Sequence, residues 1–201
     1  MEAVTAPHPA VTGALWAAGP APHRPTGAAF DVVLLLHVAC AVVGLGTVVA
    51  SAVQAGRLRS AGSGPVPDGL RAYFIPGVNW AGRALYGVPV FGFVLLGMSG
   101  GFFHLGDGWV LWGLTLWVLA IFGAEWALWP AERRIQVALA STSVSGPGDP
   151  ATDDVAPAVP VTAVAPAIAG RVAAECRTIV WVGIGLALIL LLAGFLMVAQ
   201  P

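Results

Sequence analysis

The chain of 201 residues contains no lysine, and charged side chains make up only 9% of it. Soluble domains carry about 25% charged residues, so a solvated globular surface is excluded. All nine basic residues are arginines, and the net charge of −1 leaves no basic footprint for nucleic acid. Nucleotide-binding loops, HExxH, GxSxG and EF-hand patterns are missing, and with them the common motif-bearing enzyme classes. No catalytic residues are expected. The two cysteines form no CxxC or other spaced metal motif. No inverted repeat of interrupted helices marks a secondary transporter.

What is present is apolar: 58% of the residues are hydrophobic. Four runs, at about 32–55, 85–103, 109–129 and 179–199, meet the requirement of about 20 apolar residues for a helix crossing about 30 Å of hydrocarbon. Barrel strands would be shorter and alternating. The expected fold is therefore all-α, a four-helix transmembrane bundle whose first partner is the lipid bilayer. Residues 1–30, rich in Pro, Ala and Gly, lack the basic start and compact apolar core of a signal peptide and are expected as a disordered extracytoplasmic tail. Residues 31–201 form the membrane domain, with a flexible cytoplasmic loop over 141–170, a Pro, Ala, Ser and Asp-rich stretch.

Arginines set the orientation, because basic residues near helix ends stay on the cytoplasmic side. Arg57, Arg59, Arg71 and Arg83 lie between the first two runs, and Arg133, Arg134, Arg171 and Arg177 between the last two. Only Arg24 lies on the other face, which puts both termini outside the cytoplasm. Cys40 and Cys176 then fall on opposite sides of the membrane, beyond the reach of a disulfide. Trp80, Trp109, Trp112, Trp126, Trp129 and Trp181 sit near run ends, where indoles anchor at the interface.

Ionisable groups at membrane depth are costly and have a partner or a task. His37, in "LLLHVACAVVGLG", lies about 9 Å below Asp31 at 1.5 Å per residue, and His104 follows the second run on the same side. Together they suit a haem or copper site, since imidazole ligates both metals. Cys40 shares the His37 face at i+3 and extends the candidate metal set to His37, Cys40 and His104, while Gly44 at i+7 serves close helix packing. Arg83 and Glu125 lie at one depth near the cytoplasmic ends of their helices and are expected to pair. Glu125 is the carboxylate placed inside the membrane, so a channel or transporter path would run through it.

"LLLHVACAVVGLG", "GVPVFGFVLLGMSGG", "WVLWGLTLWVLAIFGAEWALWPAERR" and the terminal "GFLMVAQP" resemble the helices of a bacterial family of four-helix integral membrane proteins of unknown function, distantly similar to CopD-like copper-resistance membrane proteins. The resemblance covers residues 30–140 and 171–201. It implies a bacterial inner-membrane location, a link to copper handling, and a role for His37 as the first-helix histidine. The chain departs from copper-resistance D proteins in having four helices and no methionine-rich array, and Gln200 stands where the family would have lysine.

Three functions are open at this point. The first is a non-catalytic accessory or assembly component that binds a membrane protein partner or a second copy of itself. The second is a haem or copper protein using His37 and His104. The third is a small transporter or channel.

Overall fold

The computed structural model describes residues 25–62, 64–143 and 166–199, which are helical with no strand. Helix α1 spans Ala28–Ala61, with Asp31 in its first turn complementing the helix dipole. Short α2 (Asp68–Tyr73) follows, then α3 (Trp80–Arg83), which passes through a 3-10 turn at Ala84–Tyr86 into α4 (Gly87–Met98). Helix α5 (Gly108–Gly123) runs through a π turn at Ala124–Leu128 into α6 (Trp129–Ser143), and α7 spans Pro166–Val198. Four continuous stretches are long and apolar enough to cross a membrane: Ala28–Ala61, Trp80–Met98, Gly108–Ser141 and Ile168–Val198.

The helices differ from the expected runs mainly at their ends. The second stops at Met98 instead of 103, because Gly100 and Gly101 take φ of +58° and +86°, a region that L side chains rarely adopt. Ser99 secures that turn, donating to the Leu96 carbonyl at 2.7 Å and accepting from the Phe103 N–H at 3.2 Å. The other three reach well past their expected ends toward the arginines. A helix of 34 residues is roughly 51 Å long at 1.5 Å per residue, well beyond the hydrocarbon thickness of about 30 Å. The excess is held by packing instead of lipid: Leu58 of α1, Ile135 and Leu139 of α6, and Cys176 of α7 are buried in one cluster there. Of the expected tail, residues 1–24 lie outside the described residues and 28–30 are helical. Of the expected loop at 141–170, residues 144–165 lie outside them, whereas 141–143 and 166–170 are helical.

Helix α1 packs on α7 and α4, and α7 packs on α5 and α6. Helices α4 and α5, although joined by the short turn at 99–107, meet only sparsely. The bundle is therefore closed at the arginine-bearing end and splayed at the turn end. Glycines set the α1 contacts. A Cβ on Gly44 would lie 2.5 Å from Leu85 Cδ2, one on Gly87 2.5 Å from Cys40 Sγ, and one on Gly183 2.8 Å from Ala52 Cβ. Away from these contacts the large side chains face outward, as Leu35, Val42, Trp112, Leu188 and Phe195 do.

Gly183 and Gly185 separate packing from hydropathy. Gly183→Val is expected to lower stability by about 1–3 kcal/mol through overpacking, whereas Gly185, with nothing within 4 Å of its Cβ position, should tolerate valine within about 0.5 kcal/mol. Thermal unfolding in detergent reads both, and equal losses would contradict the packing account.

Candidate functional site

The splay between α4 and α5 opens a cleft of about 320 Å³ at the turn end. Phe93 and Leu96 of α4, Trp109 and Trp117 of α5, and Met197 of α7 line it, and α1 contributes His37. Its closed inner end follows from a proline. The helical donor to the Leu85 carbonyl would be residue 89, but Pro89 has no N–H. Trp117 supplies the donor from α5, its Nε1–H bonding the Leu85 oxygen at 2.8 Å. In hydrocarbon no water can do this, so the backbone gap is filled by a neighbouring helix.

His37 reaches across from α1 to α4. Its Nδ1–H donates to the Val88 carbonyl at 2.8 Å, using the second lone pair of an oxygen already in the α4 ladder. Gly92 makes room for the ring: a Cβ there would meet His37 Cε1 at 3.3 Å. Because a carbonyl can only accept, the bond places a proton on Nδ1, so that the neutral form of the ring is the tautomer whose Nε2 carries the free lone pair. Metal-ligating histidines are oriented in this way, through an N–H bond from the other nitrogen to a carbonyl or carboxylate.

The other candidate ligands are placed elsewhere. Cys40 packs on Gly87, one turn further along α1. His104 is exposed in the turn, where its backbone N–H donates to Asp107 Oδ2 at 2.8 Å, and it is not part of the cleft wall. Among the described residues no three His, Cys, Asp or Glu side chains are grouped to hold a metal ion. Met197 is the cleft residue that sequence reasoning passed over. Its ligating type was visible, but nothing in the sequence brings the last helix beside the first.

A second polar group sits at the arginine-bearing end. Arg83 Nη1 and Glu125 Oε1 lie 2.7 Å apart, the Tyr86 hydroxyl donates to the same carboxylate oxygen, and the guanidinium stacks 3.8 Å over the Trp129 ring. Trp129 is only 5% exposed, which corrects its expected place in the interfacial belt: it is the platform under Arg83. Trp80, Trp112, Trp126 and Trp181 are exposed, whereas Trp109, also expected in the belt, lines the cleft. Pro130 accounts for the π turn that carries Glu125, since its ring has no N–H and would collide with the Trp126 carbonyl in a regular helix.

Glu132, about two turns beyond Glu125, is a buried carboxylate at 5% exposure, where the sequence pointed to Glu125 alone at depth. Ser51 of α1 donates its hydroxyl to Glu132 Oε1, and the Tyr73 hydroxyl stands 2.9 Å from Ser51 Oγ. The serine hydrogen being committed, tyrosine is the donor in that bond. Burial, opposed by the Ser51 bond, pushes the Tyr73 phenol above its usual range, and the nearby Glu132 charge adds to the rise. Helix α2 is thereby pinned to α1 and α6 through one chain of hydrogen bonds.

No protein-family model matches the chain, and neither a curated protein nor a solved structure matches it.

Proposed function

We propose that the chain is a non-catalytic, multi-pass component of the bacterial inner membrane, with both termini outside the cytoplasm, that holds a haem in the turn-end cleft with His37 as iron ligand. One observation carries the reading: the bond to Val88 takes the Nδ1–H of His37, so in the neutral ring Nε2 is the nitrogen free to ligate, in a residue that lines an apolar, aromatic cleft. The cleft volume of about 320 Å³ is at the lower end of small-molecule sites, about 300–1,000 Å³, and the cleft is half-open, so a haem would be held in it only in part. Haem iron is held by one or two strong protein ligands, with histidine and methionine among them. Copper in a closed site would draw on more donors than His37 and Met197, the ligating side chains of this cleft. In this reading His37 would ligate the iron, Met197 would offer a thioether to the same cleft, and Trp109, Trp117 and Phe93 would keep water out of it. An accessory role fits the same geometry, because a membrane protein that carries a cofactor without reacting it serves a partner chain.

The orientation rests on the arginines. Arg57, Arg59, Arg133, Arg134, Arg171 and Arg177 all fall at one end of the helices. Alkaline phosphatase fused to the C-terminus should be active and green fluorescent protein at the same place dark; the reverse pair would invert the topology.

Protein purified from haem-replete cells is expected to show a Soret band and stoichiometric iron. His37→Ala should abolish both, and His104→Ala, outside the cleft wall, should keep them. A colourless, iron-free preparation would sink the haem reading, as would equal loss in the two variants.

A further inference from the structure

A cavity of about 540 Å³ at the arginine-bearing end takes no part in that reading. It lies between α1, the segment joining α2 to α3, and α6, and Glu132 forms part of its wall. A buried carboxylate is costly unless paired and hydrogen-bonded, and Glu132 belongs to neither salt bridge found among the described residues, Arg83–Glu125 and Arg134–Glu175. We propose that this cavity binds a small protonated primary amine, with Glu132 as its counter-charge.

The hydrogen bonds around the cavity decide the class of ligand. Tyr73 donates to Ser51 and Ser51 to Glu132, so the chain runs toward the carboxylate and ends there. Asn79 commits its Oδ1 to the Gly82 N–H at 3.1 Å, which leaves its amide hydrogens as the groups it can offer to Glu132 in the same wall. An ionised carboxylate accepts about four hydrogen bonds, so acceptor capacity remains after these two. Thr47 gives its hydroxyl hydrogen to the Val43 carbonyl at 2.8 Å and keeps only lone pairs for the cavity. Gln136 also lines the cavity, and its amide oxygen can accept as well. A site with a buried negative charge and spare acceptors calls for a ligand that brings a positive charge and several hydrogens. An ammonium group does so, with three donors and no acceptor. Val43, Phe74, Ile75 and Pro76 provide an apolar wall for a short alkyl chain. Of the arginines flanking Glu132 on its other side, Arg83 is held by Glu125 and Trp129, and Arg133 is exposed.

Titration calorimetry of the full chain in lipid nanodiscs, with n-butylammonium chloride as probe, tests the proposal. Saturable binding is expected, weakened by about tenfold or more in Glu132→Gln, as the loss of a charged hydrogen bond implies. The neutral near-isostere n-butanol should give no saturable heat. Should Glu132→Gln fail to fold, Gln136→Leu and Thr47→Val decide, each expected to weaken butylammonium by about threefold or more. The absence of saturable butylammonium binding, equal binding of n-butanol, or full affinity in the variants that fold would overturn it. The haem spectrum of the same preparation is independent of every one of these outcomes.

Discussion

The close approach of α1 to its neighbours is the constraint on which the rest depends. In a bilayer, lipid is as apolar as leucine, so helices associate through tight van der Waals contact and hydrogen bonds. Glycine allows both. Gly44 receives Leu85, Gly87 receives Cys40, Gly92 receives the His37 ring, and Gly183 receives Ala52. The first three contacts follow one face of α1 at positions 37, 40 and 44, and they bring the imidazole within 2.8 Å of the Val88 carbonyl. The fourth ties α1 to α7. With α1 held on both sides and α7 holding α5 and α6, the sparse contact is that between α4 and α5, and the cleft opens there.

Prolines decide where the backbone needs help, and each of two such places has become a polar feature. Pro89 withholds a donor from Leu85, and Trp117 answers from α5, the direct bridge between two helices that otherwise part. Pro130 forces the π turn, which carries Glu125 to a guanidinium stacked on Trp129. These points lie at different depths, and between them the closed half of the bundle is stapled from the 3-10 turn before α4 to α5, and from α3 to the π turn and α6. The cleft in the open half is lined by apolar and aromatic side chains apart from His37, so one imidazole sets its chemistry.

Much of the architecture was legible in the sequence, because crossing hydrocarbon demands about 20 apolar residues and four runs supplied them. The arginine-side helix ends were not, since α1, α6 and α7 continue beyond lipid by packing on one another, with Leu58, Ile135 and Cys176 buried there. Hydropathy does not record that cause. His37 stood out as one ionisable residue in an apolar run, but its partner is a backbone carbonyl, which every residue has and no pattern marks. Glu132 was concealed by "WPAERR", where a charged cluster reads as the water-exposed end of a span. Its signal was dispersed over Ser51, Tyr73 and Asn79, polar residues in three segments that only the fold brings together. Trp129 misled for a similar reason, being placed by its distance from the helix end while the π turn rotated it inward.

The account's central claim is that α1 presents to the cleft a histidine of one fixed tautomer. Nitrogen-15 NMR of histidine-labelled protein in nanodiscs, prepared without haem and with His37→Gln to assign the signal, reads this directly. The account predicts a proton on His37 Nδ1 and a bare Nε2. A proton on Nε2 with Nδ1 bare, or a ring averaging between the two forms, would contradict it.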